Sequence, residues 1–133
     1  MVTATARRRE GYTHDVELNG HSIVFDEPES AGGTDQGPSP TRTLAAALAA
    51  CTAITMEMYA DRKGWDVGDL EVEAEMEFGR SSAPESFVVT LRLPEELSEE
   101  QRERLRVIAG KCPVHRALSG EIEISIEDRV ELV

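Results

Sequence analysis

Cys51 and Cys112 are the two cysteines of a 133-residue chain, and their surroundings differ. Cys51 lies inside the alanine-rich run Leu44-Ala-Ala-Ala-Leu-Ala-Ala-Cys51-Thr52, and Cys112 opens Lys111-Cys112-Pro113-Val114-His115-Arg116. One thiol on an apolar helix and one at a proline-started turn suit a thiol–disulfide redox pair. The plain alternative for Cys51 is a small core hydrophobe on a helix stripe. Its own helix offers it no activating cation. Arg42 is nine residues away, roughly 13 Å along the axis and about half a turn round. Any cation beside this thiol must come from elsewhere in the fold. Pro113 sets Cys112 at the start of a short helical turn, where the dipole favours a thiolate, and His115 is close enough in sequence to contact it. Cys51, Cys112 and His115 would make three metal ligands, but structural zinc uses four at tighter spacing. His14 and His21 fall in strands and carry no comparable signal.

The bulk properties narrow the class. A net charge of −12 and a pI near 4.6 argue against nucleic-acid phosphates and anionic membrane surfaces as partners. No apolar export segment is visible at the N-terminus, and the run from Leu44 to Ala53 is too short and alanine-rich to span a bilayer. The expectation is a cytoplasmic protein with a single domain over 1–133. In that compartment a cysteine pair is more often catalytic, redox-sensing or metal-binding than a structural staple.

The elements that must position these residues follow from periodicity. Strands are predicted at 3–9, 13–18 and 21–26, with Asn19-Gly20 as a hairpin turn. Residues 27–39 are loop, long enough to be functional. A helix runs from Pro40 to Lys63, capped by Ser39 and ended by Gly64. Its stripe is read as Leu44, Leu48, Cys51, Thr55 and Met58, widened by Ile54. It is apolar over more than one face, which points to burial on both sides, the second by another subunit. Leu70 to Phe78 alternates apolar residues with Glu71, Glu73, Glu75 and Glu77, a solvated sheet face rather than a cation site. A further strand covers 86–93. Ser98 to Gln101 has the capping-box pattern of a helix running to Ala109, and 113–118 adds a short turn. Glu121 to Glu127 reads as a closing strand with Ile122, Ile124 and Ile126 buried. The class is α+β in the order β-β-β-α-β-β-α-β.

These residues resemble a known family. Asp26-x-Pro28, then Gly32-Gly33-Thr34-Asp35-Gln36-Gly37-Pro38-Ser39-Pro40, then the Cys51 helix, then Lys111-Cys112-Pro113-Val114-His115 are similar to OsmC/Ohr proteins. These are the osmotically induced and organic-hydroperoxide-resistance proteins. The likeness covers nearly the whole chain and is to the general OsmC-like branch rather than to the organic-hydroperoxide-resistance enzymes proper. It implies an intertwined homodimer with two long central helices. It implies a cysteine-based peroxidase for organic hydroperoxides that needs no metal or flavin. Cys51 would be the peroxidatic thiol and Cys112 the resolving one, joined in an intramolecular disulfide that a dithiol, such as a lipoyl-bearing protein, reduces. An arginine held by a glutamate would stabilise the thiolate; Arg9 matches best, with Arg7 and Arg8 adjacent. The family glutamate falls at Thr41 or Arg42, where this chain has no acid, and Arg42 could instead serve the partner subunit's thiol. The alternative is a non-catalytic OsmC-like dimer that senses redox state or binds a small apolar ligand. A third reading is a structural core with two incidental cysteines.

Overall fold

Asn19 and Gly20 both adopt positive φ, 48° and 84°, as the type I′ turn requires. They join β2 (Thr13–Leu18) to β3 (His21–Phe25), and β1 (Ala4–Glu10) pairs on the other side of β2 in an antiparallel sheet of order β1-β2-β3. This computed structural model describes all residues, 1–133. The chain divides into two units: Met1–Ala46 with Glu75–Val88, and Ala47–Ala74 with Val89–Val133.

In the first unit the β1–β2 ladder slips between Arg8 and Glu10, leaving Arg9 in a β-bulge. Bulges turn a side chain out of the regular alternation. The 27–39 loop contains one short 3-10 turn, Glu29–Ala31, and is folded around Asp26. Two glycines allow the backbone to close there. A Cβ at Gly33 would sit 2.0 Å from the Glu27 carbonyl oxygen, and one at Gly37 2.2 Å from that of Val24. Both obstacles are main chain, so neither can swing aside. Gly37→Ala is therefore expected to lower stability by about 1–3 kcal/mol, read as a reduced urea midpoint at unchanged m-value. An unchanged midpoint would mean that the strand end yields more easily than its hydrogen bonds suggest.

The long helix α1 spans Pro40–Lys63, as the sequence predicts. Ser39 caps it: its hydroxyl accepts from the Arg42 amide at 3.2 Å. Gly64, at φ 71°, ends it, and the Trp65 amide donates back to the Ala60 carbonyl at 2.9 Å. The buried stripe differs from the one expected. It is Leu48, Thr52, Met56 and Ala60, whereas Leu44, Ile54 and Met58 are exposed and Cys51 is half-buried. Hydropathy ranks Met58 and Ile54 above Thr52 and Ala60, but the side that packs closely takes the smaller residues.

In the second unit Met56, Ala60, Val67, Leu97, Leu105 and Ala109 form a core, with Tyr59, Trp65 and Leu91 against it. α2 (Glu99–Ala109) begins with the expected capping box: the Gln101 amide donates to the Ser98 hydroxyl at 3.1 Å, and the Ser98 amide to the Gln101 side chain at 2.8 Å. β4 (Glu71–Phe78) and β5 (Pro84–Arg92) form a two-stranded sheet. The β4 glutamates face outward, and Glu71 and Glu73 accept from Arg92 at 2.7 and 3.0 Å. Helix α3 is Pro113–Leu118.

The closing strand does not form. Residues 121–133 have no strand assignment, and Ile122, Ile124 and Ile126 are exposed, not buried. Alternation marks a segment able to be a strand, but a strand exists only where its backbone pairs with another, and this segment joins neither sheet. An 18-residue stretch of α1, with a mean hydropathy of 1.3, is long and apolar enough to cross a membrane by length and composition, a property that core helices of soluble proteins share.

Candidate functional site

Cys51 and Cys112, sixty-one residues apart in sequence, are brought together in the second unit. α1 presents Cys51 half-buried, one residue before the fully buried Thr52. On the same face, three and seven residues on, Ile54 and Met58 leave apolar surface open.

Cys112 has no exposed surface. It is the N-cap of α3, and its sulfur accepts the His115 amide N–H at 3.4 Å. His115 thus contacts the thiol through its main chain, not through its ring; the ring Nδ1 is buried without a hydrogen-bond partner. Burial pushes the Cys112 thiol above its ordinary pKa, and the neighbouring Cys51 pushes it further; the His115 amide and the Thr52 hydroxyl pull it back. The two sulfurs are both free thiols. The accessible thiol is therefore the one a solute can meet, and the enclosed one can react only with what reaches it through Cys51.

The candidate arginines lie in the first unit. Arg9, at the bulge, makes a two-pronged ion pair with Asp15, one hydrogen bond of which measures 3.1 Å. That hydrogen bond from Arg9 holds the Asp15 carboxyl below its ordinary range. Arg7 pairs with Glu17 at 3.3 Å, and Arg8 donates to the Gly11 carbonyl at 3.0 Å. A carboxylate thus orients Arg9 although Thr41 and Arg42 supply none. It comes from β2, and cross-strand pairing across a bulge is not readable from sequence spacing.

Asp26 was visible in the sequence only as part of a motif. It is 1% exposed and has no cation partner. Burial alone would raise its pKa. The Thr34 hydroxyl (2.8 Å), Glu27 amide (2.7 Å), Thr13 hydroxyl (2.8 Å) and Gln36 amide (3.2 Å) outweigh that and hold it well below the carboxylate range. The consequence for stability has a definite sign. Its contribution is complete above the unfolded carboxyl value of about 3.9 and is lost as pH falls from there towards the folded value. Acid unfolding followed by circular dichroism should steepen below about pH 4, and Asp26→Asn should flatten that dependence. A variant with the wild-type acid limb would show that other carboxylates set it.

No group of three or more His, Cys, Asp or Glu side chains is arranged to hold a metal ion. A groove of about 660 Å³ beside Tyr59, Trp65 and α2 contains neither thiol.

The sequence pattern of the OsmC-like protein family matches residues 33–127, which include residues 33–39 of the glycine-rich loop and both cysteines. Among solved structures, the chain is similar to the OsmC-like protein from Mycoplasma pneumoniae (TM-score 0.77, 20% identity, 90% of this chain and 88% of that one). It is similar to an organic hydroperoxide resistance protein from Elizabethkingia anophelis (TM-score 0.68, 23% identity, 92% and 91%). A third is the organic hydroperoxide resistance protein OsmC from Legionella pneumophila (TM-score 0.64, 21% identity, 90% and 90%). At these identities the structural likeness carries the fold alone. No curated protein matches the chain. The α+β fold is OsmC-like, and with a family match covering most of its length this chain belongs to the OsmC/Ohr family.

Proposed function

We propose that the protein is a thiol-dependent peroxidase for organic hydroperoxides, with Cys51 as the peroxidatic thiol and Cys112 as the resolving one. The observation that carries this reading is the asymmetry of two adjacent free thiols, one half-buried and one fully enclosed. Cys51 thiolate attacks the terminal oxygen of the hydroperoxide; the O–O bond breaks, an alcohol leaves, and Cys51 becomes a sulfenic acid. Cys112 then attacks the Cys51 sulfur, the S–S bond forms and water leaves. Ile54 and Met58 beside Cys51 favour an alkyl or aryl peroxide over hydrogen peroxide. Arg9 is assigned the role of stabilising the thiolate, with Asp15 holding its guanidinium. The working unit is a homodimer in the cytoplasm, which would cover the exposed apolar residues of the 121–133 segment, and a dithiol reductant restores the pair.

Reduced protein mixed with cumene hydroperoxide in a stopped-flow instrument is expected to lose two thiols for each peroxide consumed. Loss of one thiol would overturn the resolving role of Cys112, and slow loss independent of peroxide concentration would overturn the peroxidase. The Thr41-Arg42 pair, where an acid was expected, favours a second reading: a non-catalytic dimer that senses redox state or binds an apolar ligand. That protein would bind a hydrophobic probe without peroxide-dependent thiol loss.

A further inference from the structure

Thr52 stands next to Cys51 in sequence but about 100° further round α1, on the buried stripe. It is 1% exposed, and its hydroxyl oxygen has no partner that meets hydrogen-bond geometry. A threonine inside a helix ordinarily bonds back to the carbonyl four residues earlier. Thr43 does so on this same helix, donating to Ser39 at 2.8 Å. Thr52 does not, and a buried hydroxyl left unpaired is costly unless a partner appears in some state of the protein. What lies against it is the Cys112 sulfur, which already accepts the His115 amide. A neutral thiol is a weak acceptor, so it leaves the hydroxyl nearly unsatisfied. A thiolate is a strong one.

We propose that Thr52 is a positioning residue for the resolving step, its hydroxyl and the His115 amide forming a two-donor cradle that binds Cys112 as the thiolate. The inference rests on the peroxidase reading for its purpose, though not for its chemistry. Cys112 must lose its proton to attack the Cys51 sulfenic acid. The S–S bond then forms as the S–O bond breaks, and the departing hydroxide takes up a proton as water. Enclosure works against that ionisation, and the groups facing Cys112 give little help. From α1 the titratable neighbour is Cys51, which is neutral once oxidised to the sulfenic acid. From α3 it is His115, which reaches the sulfur with its main chain. The Thr52 donor tightens as charge appears on the sulfur, so it helps most at the moment of attack.

The test separates this claim from the peroxidase. In the Cys51→Ser background Cys112 is the sole thiol, and thiolate absorbance near 240 nm reports its ionisation without any peroxide. Adding Thr52→Val, which keeps the shape and removes the donor, is expected to raise the midpoint by about one pH unit, and Thr52→Ser should restore it. Thr52→Ala serves as a second donor-free variant, with circular dichroism to confirm the fold. In the protein with both cysteines, Thr52→Val should slow loss of the second thiol about tenfold, so that sulfenic acid accumulates. Equal midpoints for Thr, Val and Ala at position 52 would overturn the cradle. A shifted midpoint in a protein whose thiols ignore peroxide would keep the cradle and remove the peroxidase.

Discussion

Cys51→Ser is expected to abolish peroxide-dependent thiol oxidation, with a loss on the order of a thousandfold or more. The size of the effect follows from what remains. Cys112 has no exposed surface, and its thiol is pushed up by burial. A hydroperoxide cannot reach it, and little of it is thiolate near neutrality. Cys112→Ser should behave quite differently. The first thiol still reacts, but no partner thiol can displace hydroxide from the sulfenic acid. One thiol is then lost per chain, and a sulfenic-acid trap such as dimedone labels Cys51. The contrast matters more than either variant alone. Equal, slow oxidation of wild type, Cys51→Ser and Cys112→Ser would remove the catalytic reading and leave a sensor or binding protein.

Leu105→Ala is expected to cost about 2–5 kcal/mol of stability. Leu105 is fully enclosed on α2 and packs into the cluster of Met56, Ala60 and Ala109. Two of those neighbours are alanines, so no long side chain can swing in to refill the space. Trp65, the one tryptophan, packs against the same cluster and reports its unfolding by fluorescence. Arg102→Ala, exposed on the same helix, should stay within about 0.5 kcal/mol. Similar values for both would mean that the cluster closes up around the truncation.

Local signals in the sequence proved the most legible. β2, α1 and the capping box at Ser98 fall where turn chemistry and capping put them, because a few adjacent residues determine each. The buried side of α1 was not legible. Thr52 and Ala60 lie inside and Met58 outside, a choice made by packing partners and not by hydropathy. The 121–127 segment failed for a related reason: its alternation is real, but a strand depends on long-range pairing with another strand, which alternation does not specify. For the site, the two cysteines were visible as chemistry, while their approach depends on where α3 falls against α1. Asp15 and Asp26 were the least visible. Each is one acid among twenty-six, singled out only by what surrounds it.

The partners of Asp26 are two hydroxyls and two main-chain amides, none of them charged. Screening by dissolved ions acts on charge pairs, and at 1 M ionic strength its range shrinks to about 3 Å. The exposed Arg92 pairs with Glu71 and Glu73 weaken under those conditions. The dipoles around Asp26 lie inside the fold, where dissolved ions do not enter, and they keep their hold. The glycine-rich loop is thus anchored by a device indifferent to ionic strength, on a chain whose net charge of −12 leaves its surface strongly sensitive to it.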